Sequence, residues 1–494
     1  MSQPFILAID EGTTNAKAIS VSQTGDVLSK GSVPVQLVFP HPGWAEQDPE
    51  KIWVATEEAI AACLMDLDKS FLAGVAISNQ RESVLIWERS SGEALTPLVS
   101  WQCRRSEDIC AEIAKKPEAD LVKSLTGSVI DPLFPASKIR WLLDSIENGT
   151  QRALRGELCA GTVDSWLVWK LTGGEQFVTD VSNASRYQLF NINTFSWDPL
   201  LLDLYQIPEQ CLPEVRPSAG ERGVTSGVSC IIDGVPILAQ AGDSHAALYG
   251  QGGYNHGVVK ATYGTGSSLM VCVEDAPKHD LGVSTTVAWD DGKPMIAMEG
   301  NITHTGSGVK FISRLLGIED INKLSDLAWS VEDNGGVFFV PALAGLGAPY
   351  WDAKSRGLIT GLTDAASQAH IARAAFESVA YQVADLFFAM QLSGGMKFSA
   401  LSVDGGPSRN IELMQFQADL LQIPIIRSEI SEISALGSAF MAGRALNWWP
   451  EYRDLNAIPR KVKIIKPNSE NVKVKEKYKQ WKMAIERTRY SPNS

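Results

Sequence analysis

The sequence lacks the long apolar runs of a membrane protein. No stretch of its 494 residues approaches the roughly 18 uninterrupted apolar residues that a membrane span needs. The apolar run near the start, Phe5–Ile9, has no basic segment before it and ends at Asp10, so it is too short for a secretory signal peptide. We therefore expect no membrane insertion.

Positive charge and clustered cysteine are also scarce. The formal net charge is −13, from 44 Lys and Arg against 57 Asp and Glu, which disfavours a broad hold on nucleic acid. The seven cysteines are scattered and no pair has CxxC spacing, so reduced, mostly buried thiols are expected. Together these features predict a cytoplasmic protein without a nucleic-acid partner.

Several catalytic signatures are missing as well. The chain contains no GxxxxGK[ST] P-loop, no GxSxG elbow and no HExxH motif, which counts against P-loop NTPases, α/β-hydrolases and zinc proteases. His245 has no second histidine at ligand spacing, so a zinc site is not expected.

The pattern that is present is that of a large α/β protein. A chain of this length exceeds one ordinary core, so two large lobes, or two to four domains, are predicted. Apolar residues recur at helical spacing in 50–65 and 369–390, between β-like segments. The glycine-rich stretch 250–253 predicts the end of a first lobe, and the basic tail 461–490 is interpreted as a surface helix.

Three glycine-bearing turns follow predicted strands in both halves of the chain. They are Asp10–Thr14, Gly264–Gly266 and Asp404–Gly406, and their repetition indicates two similar lobes that face one ligand. A Gly-Thr-Thr turn lets backbone and hydroxyl donors approach phosphate oxygens, and Asp10 at the strand end can hold Mg²⁺ through water. The alternative is a plain hairpin turn with an acidic residue at its mouth.

Asp243 lies between the apolar run VPILAQ and a helix-like segment. This pattern places its carboxylate at the carboxyl end of a strand, where open α/β sheets bind ligands. A carboxylate there can accept a proton from an attacking hydroxyl, as phosphoryl transfer to an alcohol requires. The alternative is a helix N-cap, which is a common role for aspartate.

Arg81 and Glu82 follow the predicted strand LAGVAIS and offer donors and an acceptor for polyol hydroxyls. Neighbouring strand residues point in opposite directions, so the two can reach one ligand only from a turn. The alternative is a surface ion pair. Trp101 either stacks on a ligand or fills a core.

These motifs occur together in one order, which makes the chain recognisable. It resembles the FGGY carbohydrate kinases, and within them the glycerol kinase branch, from about residue 5 to 445. The segment Gly357–Glu377 fits the second signature of that family, and NQRE followed by WQCRR is typical of glycerol kinases rather than pentulose kinases. The resemblance rests on IDEGTTNAKA, SNQRES, WQCRR, GTVDSWLVWKLT, TDVSNASR, AGDSHAALYG, TYGTGS, GLGAPYWD, RGLITGLT, VDGGPSRN and ALGSAFMAG.

The resemblance implies a two-lobed, actin-like α/β fold with ATP in the cleft between the lobes. Residues 1–250 would form the N-terminal lobe, with the acceptor site and the first phosphate loop. Residues 251–494 would form the C-terminal lobe, with the adenosine site and the second phosphate loop. The implied activity is ATP- and Mg²⁺-dependent phosphorylation of a small polyol or sugar, with glycerol as the first candidate, by a homodimer or homotetramer.

The resemblance also implies roles for individual residues. They are Asp243 as general base; Asp10 and Asp243 at Mg²⁺; Thr13, Thr14, Lys17, Gly264 and Thr265 at the phosphates; Gly406 and Asn410 at the adenosine; and Arg81, Glu82, Trp101, Leu133, Ser268 and Asp243 at the acceptor.

Two acceptor positions depart from the glycerol kinase pattern. Leu133 stands where glycerol kinases have a Tyr, and Ser268 stands where they have a Phe. Smaller side chains enlarge the expected pocket, which favours a longer polyol or a small ketose. The alternatives are that neighbouring residues refill the space and glycerol remains preferred, or that the chain is a non-kinase ATPase of the same superfold. The segment SGVSCIIDG replaces the Gly-rich, Arg-bearing loop that enterobacterial glycerol kinases use for fructose bisphosphate inhibition, so that inhibition is not expected.

Overall fold

The chain divides into two compact units that are not continuous in sequence. The structure, a computed structural model, describes residues 3–274, 277, 281–468 and 472–489. The first unit contains the residues up to Gly252 together with Thr285–Ile296 and Glu432–Pro459. The second unit contains Gly253–Ser284, Ala297–Ser431 and the residues from Arg460.

Both strands and helices are spread through the first 252 residues. The strands are β1 (Phe5–Glu11), β2 (Asn15–Ser22), β3 (Val27–Pro34), β4 (Glu46–Gln47), β5 (Leu72–Asn79), β6 (Val84–Glu88), β7 (Leu98–Val99), β8 (Leu158–Thr162), β9 (Val178–Asp180), β10 (Phe190–Asn191), β11 (Ser196–Trp197), β12 (Glu214–Arg216) and β13 (Ile237–Gly242). The helices are α1 (Pro49–Leu64), α2 (Glu107–Ile113), α3 (Ala119–Thr126), α4 (Pro135–Ser145), α5 (Gly149–Leu154), α6 (Val163–Leu171), α7 (Val181–Ala184), α8 (Pro199–Tyr205) and α9 (Asp243–Gly250).

The remaining chain continues the same mixture. Its strands are β14 (Val258–Tyr263), β15 (Ser267–Val273), β16 (Ser284–Asp290), β17 (Pro294–Ile302), β18 (Phe338–Val340), β19 (Leu358–Thr360), β20 (Ala400–Asp404), β21 (Ile425–Ser428) and β22 (Val462–Ile465). Its helices are α10 (Gly306–Leu315), α11 (Ile321–Trp329), α12 (Gln368–Gly394), α13 (Ile411–Leu421), α14 (Ile433–Ala445), α15 (Tyr452–Ala457) and α16 (Val472–Arg489).

The first unit is built around a five-stranded sheet in the order β13-β5-β1-β2-β3. Strands β13, β5 and β1 run parallel to one another, whereas β1, β2 and β3 are joined as antiparallel neighbours. The central strand β1 is an almost continuous apolar run, FILAIDE, and six of its seven residues are buried. A strand that is apolar throughout needs cover on both faces, which explains its place at the centre of the sheet.

The sheet of the second unit repeats this arrangement. Strands β21, β20 and β14 are parallel neighbours, β14 pairs antiparallel with β15, and β17 lies beyond β15. In each unit a glycine-bearing turn joins the antiparallel hairpin next to the parallel strands. The prediction of two similar lobes, made from the repeated turns, is confirmed.

The two helices predicted from apolar spacing are present with clear ends. Asp48 caps α1 by accepting hydrogen bonds from the backbone N–H groups of Glu50 and Lys51, and Pro49 occupies the first turn. Helix α12 runs for 27 residues and ends at Gly395, whose φ of 61° lies in the left-handed region.

Two expectations about the second half need adjustment. A single division at residue 250 leaves out two segments, Thr285–Ile296 and Glu432–Pro459, that pack within the first unit. The basic tail is not helical throughout, because Val462–Ile465 forms strand β22 beside β21. The helix begins only at Val472, and its buried Trp481 and Ile485 anchor one face of it. No described helix is both long and apolar enough to cross a membrane.

A buried polar network anchors β13, the strand that leads to Asp243. The Gln240 side-chain amide donates to the Asp164 carboxylate at 2.8 Å, and the hydroxyl of Thr179 donates to the same oxygen at 2.7 Å. The Arg222 guanidinium donates to the side-chain oxygen Oε1 of Gln240 at 3.1 Å. Burial raises the pKa of Asp164 to about 6.

We predict that Asp164 makes stability depend on pH. Since its pKa is about 6 in the folded chain and 3.8 for an ordinary aspartate, only the folded state keeps the proton between these values. Its contribution to the free energy of unfolding is fully present below pH 4 and is lost as the pH rises to 6, by about 3 kcal/mol. Urea unfolding of the wild type and of Asp164→Asn between pH 4 and pH 7 measures this change. A difference between the two proteins that does not vary with pH would contradict it.

Candidate active site

Three parallel strands of the first unit end at the same edge of their sheet. Asp10 pairs in register with Ser78 at the end of β1 and β5, and Gly242 pairs with Asn79 at the end of β13 and β5. Asp243 follows Gly242 directly. The carboxyl ends of neighbouring parallel strands form the usual ligand edge of an α/β sheet, so Asp10 and Asp243 both belong to this edge.

Asp10 is held in place by a neighbouring strand. The Ser78 hydroxyl donates to Asp10 Oδ1 at 2.6 Å, and Lys17 lies opposite Asp10 on β2. Burial raises the pKa of Asp10, while the Ser78 hydrogen bond and the Lys17 charge act against this rise. The next carboxyl, Glu11, lies in the core near Thr56 because strand residues alternate between faces, and burial raises its pKa well above the usual range. Of these two neighbouring carboxyls, Asp10 is therefore the one that faces the ligand edge.

Asp243 is the first residue of α9, and the N-cap position before it belongs to Gly242. Asp243 Oδ1 accepts from the backbone N–H of Ser244 at 2.6 Å and lies 3.6 Å from Arg81 Nε. The side chain is 40% exposed, so the carboxylate is accessible to a ligand. Asp243 therefore bonds one N–H group at the start of the helix and still presents its carboxylate to a ligand.

Arg81 and Glu82 leave the strand and lie in a turn, as a shared ligand requires. Strand β5 ends at Asn79, and Glu82 has a φ of 61°. A left-handed conformation costs a non-glycine residue about 1–2 kcal/mol, so contacts must hold it. Arg186 Nε donates to Glu82 Oε1 at 2.6 Å, and Arg81 Nε lies 3.8 Å from the same oxygen. This buried cluster is more than a surface ion pair.

Trp101 is tied to the first glycine-bearing turn. Its indole N–H donates to the Thr13 hydroxyl at 3.0 Å, and that hydroxyl donates to the Gln80 side-chain carbonyl at 3.3 Å. The ring remains 39% exposed, so Trp101 does not fill a core and offers a surface to a ligand. Thr14 is exposed in the same turn, where its hydroxyl accepts a hydrogen bond from Asn15.

Leu133 lies in a turn that is fastened to the Glu82 segment. Its N–H donates to Asp131 Oδ1 at 2.8 Å, and its carbonyl accepts from Lys138 Nζ at 2.7 Å. Lys138 also donates to the backbone carbonyl of Glu82 at 3.0 Å. The turn after β5, the turn before α4 and the first residues of α4 therefore meet in one place.

The second unit contains a cavity of about 550 Å³. Four residues that the sequence assigned to nucleotide binding lie on its wall, namely Gly264, Thr265, Gly406 and Asn410. The other lining residues are Gly306, Val309, Lys310, Ile321, Asn322, Ser325, Asp326, Phe376, Val379, Pro407, Arg409, Ile411, Glu412 and Leu413. Ligand pockets for small molecules commonly have about this volume.

Asn410 shapes the cavity through both ends of its amide. Its carbonyl oxygen caps α13 by accepting from the Leu413 N–H at 2.8 Å, and its NH₂ donates to the Ser325 hydroxyl on α11 at 2.8 Å. The two glycines before it differ in their surroundings. A Cβ on Gly405 would lie 1.9 Å from the Tyr263 carbonyl oxygen, whereas a Cβ on Gly406 would meet no heavy atom within 4 Å. Gly405 is required by close packing, and Gly406 faces open space.

Ser268 does not line this cavity. It lies on β15, opposite Thr262 on β14. Its assignment to the acceptor therefore stays a prediction from the resemblance.

Sequence reasoning missed several residues that organise these sites. Ser78 and Gln80 belong to the recognised SNQRES motif, Arg186 ends TDVSNASR, and Ser325 had no motif to mark it. Lys138 also escaped notice, because a lysine in an amphipathic helix normally faces water. For Ser78 and Gln80, a polar residue at the end of a buried strand is the signal that could have found them, whereas Arg186 and Ser325 lie near or in helices and carried no such signal.

The acidic groups of the first unit suit a magnesium ion bound together with phosphate. Among the described residues no three His, Cys, Asp or Glu side chains come together as a metal site. Mg²⁺ usually takes one or two carboxylates together with substrate phosphates and water, and Asp10 and Asp243 supply two carboxylates at one edge. The donor set therefore fits this ion.

The site and the comparisons with known proteins together define a carbohydrate kinase. The structural features are the sheet in each unit, the carboxylates at the strand ends and the cavity of the second unit. The chain belongs to the FGGY family of carbohydrate kinases, since the model of the N-terminal domain matches residues 5–250 and that of the C-terminal domain matches residues 259–446. The family and the fold class predicted from the sequence are confirmed.

Individual relatives match over the full length. The chain is 53% identical to an apulose kinase of Pectobacterium atrosepticum, with all of both chains covered. It is 42% identical to a glycerol kinase of Saccharolobus islandicus, over 99% of this chain and 97% of that protein. The crystal structure of Plasmodium falciparum glycerol kinase with ADP superposes with a TM-score of 0.93, at 29% identity and 99% coverage of both chains.

Proposed function

We propose that this chain is an ATP-dependent kinase of a small ketose, with a five-carbon ketose such as apulose before glycerol. The observation that carries the proposal is the greater identity to an apulose kinase, 53% against 42% for a glycerol kinase, over the full chain in both cases. The departures at Leu133 and Ser268 agree with it, because each puts a smaller side chain where glycerol kinases have an aromatic ring. A larger pocket suits a larger acceptor.

Glycerol is the second candidate. NQRE and WQCRR, which are typical of glycerol kinases, are both present, and Trp101 keeps an exposed ring. An acceptor with only three carbons leaves part of an enlarged pocket empty unless neighbouring residues fill it. Leu133 fills less of this space than the tyrosine of glycerol kinases.

In the proposed reaction, Asp243 accepts the proton of the acceptor hydroxyl. The alcohol oxygen then forms a bond to the terminal phosphorus of ATP as the bond to the ADP oxygen breaks. Arg81 and Glu82 orient the acceptor hydroxyls, and Thr13 and Lys17 offer donors to the phosphates. Asp10 and Asp243 would hold Mg²⁺, which when bound offsets negative charge on the phosphates.

The same proposal assigns the cavity of the second unit to the adenosine of ATP. A side chain at Gly406 would project into this open space without touching the protein, whereas any side chain at Gly405 would strike the Tyr263 carbonyl.

We therefore predict that Gly406→Val weakens ADP binding about tenfold and leaves the melting temperature unchanged. Titration calorimetry with ADP and thermal unfolding measure the two effects. Gly405→Ala is the matched comparison, and it should lower the melting temperature because its φ of 88° and the near backbone exclude a Cβ. Unaltered ADP affinity in Gly406→Val would remove the cavity from the nucleotide site.

The function is tested by a coupled ADP-release assay with the wild type. Acceptors are apulose, xylulose, ribulose, dihydroxyacetone, erythritol, ribitol and glycerol, with one series lacking divalent cation. We expect the highest kcat/KM for a five-carbon ketose and no turnover without Mg²⁺. The highest value for glycerol would establish the second candidate. ADP release that does not depend on any acceptor would overturn the kinase assignment at this site.

A further inference from the structure

Lys138 is a fully buried lysine on α4 whose ammonium group is used entirely within the protein. Its exposed fraction is 0%. Its Nζ donates to two backbone carbonyls, that of Leu133 at 2.7 Å and that of Glu82 at 3.0 Å. A buried lysine without such partners would be strongly destabilising, so these two bonds explain how it is tolerated.

The two carbonyls belong to segments that carry acceptor residues. Glu82 has a left-handed φ of 61°, a conformation that needs support in a non-glycine residue. Leu133 lies in a turn outside any helix or strand. Lys138 therefore joins Glu82, whose backbone is strained, to Leu133, which departs from the glycerol kinase pattern.

A second link joins the same two segments. Arg186 donates to the Glu82 carboxylate at 2.6 Å, and its guanidinium lies 4.9 Å from the centre of the Phe134 ring. Arg186 thus holds the Glu82 side chain against Phe134, while Lys138 holds the Glu82 backbone against Leu133. Because the contacts fall on different groups, removal of Lys138 releases the backbone and leaves the ion pair in place.

The surroundings of Lys138 let it keep both bonds whether or not it is charged. Burial lowers its pKa to about 7, against the opposing effect of Glu82, Cys103, Asp131 and Cys110. A neutral amine still has two N–H donors, which is the number of carbonyls it serves.

We propose that Lys138 is a positioning residue for acceptor binding, which fixes the Glu82 backbone and the Leu133 turn at one distance from each other. The inference rests on the proposed function, because it assigns Glu82 and Leu133 to the acceptor site. It does not depend on which acceptor is preferred.

The test uses the full chain with Lys138→Met, which keeps the length of the side chain and removes its donors. The acceptor is the one that the wild type phosphorylates with the highest kcat/KM. We expect its KM to rise about ten- to a hundredfold and the KM for ATP to stay unchanged, because a small displacement at the acceptor site acts on that substrate alone. Lys138→Gln, which keeps two N–H donors, should restore part of the acceptor affinity.

The matched control is Ser137→Ala, one residue away on the same helix. The Ser137 hydroxyl bonds to Ser106 at 2.9 Å and lies 3.5 Å from the Phe134 carbonyl oxygen, so the substitution disturbs the same helix but leaves both Lys138 hydrogen bonds in place. Equal acceptor KM in Lys138→Met and wild type would overturn the proposal, as would an equal rise in both KM values or an equal effect of Ser137→Ala.

A crystal structure gives an answer that is independent of activity. In Lys138→Met, or in Lys138→Leu (which also lacks the donors) if the first variant does not fold, Glu82 should leave the left-handed region or the Leu133 turn should move away. Unchanged positions of both would overturn the proposal. If the wild type phosphorylates no acceptor at all, the proposed function fails, and the crystal structure still decides whether Lys138 holds these segments.

Discussion

Replacement of Asp243 by asparagine should lower kcat about 10²–10⁴-fold, the usual effect of losing a general base. The amide keeps the size of the side chain and its hydrogen bond from the Ser244 N–H, but it cannot take the proton of the acceptor hydroxyl. Because an asparagine oxygen can still accept from this N–H and the side chain is 40% exposed, the substitution should change stability little. Single-turnover kinetics and thermal unfolding of the same preparation measure both quantities.

Asp198→Asn is the matched control for this substitution. Asp198 also lies at the start of a helix of the first unit, but there it acts as a true cap, accepting from the N–H groups of Leu200 and Leu201. Its second carboxylate oxygen accepts a hydrogen bond from Asn191. An asparagine has only one side-chain oxygen, so it cannot keep both the cap and the bond from Asn191. We expect Asp198→Asn to lower the melting temperature slightly and to keep kcat. If Asp243→Asn showed this same pattern, Asp243 would be a structural residue.

The double variant Leu133→Tyr/Ser268→Phe should shift preference towards glycerol. It restores the two aromatic side chains that glycerol kinases have at these positions. Each ring removes space that a five-carbon ketose would use, and such changes in an apolar pocket alter selectivity by about 1–3 kcal/mol. We expect the ratio of kcat/KM for glycerol to that for the best ketose to rise about ten- to a hundredfold, measured in the coupled assay.

The single variants show how much each position contributes to the change in acceptor preference. Leu133 lies in the turn that Lys138 fastens to Glu82, so Leu133→Tyr should act alone as well as in the double variant. Ser268 lies on β15 in the second unit, and Ser268→Phe tests the prediction from the resemblance separately. Leu121→Tyr, at a side chain of the first unit that is 40% exposed on α3, is a control for a new aromatic residue and should leave the ratio unchanged. A ratio that stays constant in all variants would mean that neither position selects the acceptor.

The architecture followed from local patterns along the chain. The apolar run FILAID predicted a strand, the helical spacing in 50–65 and 369–390 predicted α1 and α12, and the repeated glycine-bearing turns predicted two similar lobes. These features depend on residues that are near one another in sequence, so the sequence shows them directly. The discontinuous first unit was not predictable in this way, because only packing joins Glu432–Pro459 to the first 252 residues.

The residues of the candidate site also fall into two groups, those that the local sequence shows and those that only tertiary packing brings together. Asp10 and Asp243 were found because an acidic residue directly after a buried strand is placed at the ligand edge by the strand itself. The sequence alone thus determined the family, the two similar lobes and the carboxylates at the strand ends. Only the tertiary structure decided that Arg81 and Glu82 share a turn, that Arg186 pairs with Glu82, and that Lys138 is buried. The physical reason is that each of these facts depends on partners supplied by distant segments, and the free energy of burying a charge or holding a left-handed residue is set by those partners rather than by the residue itself.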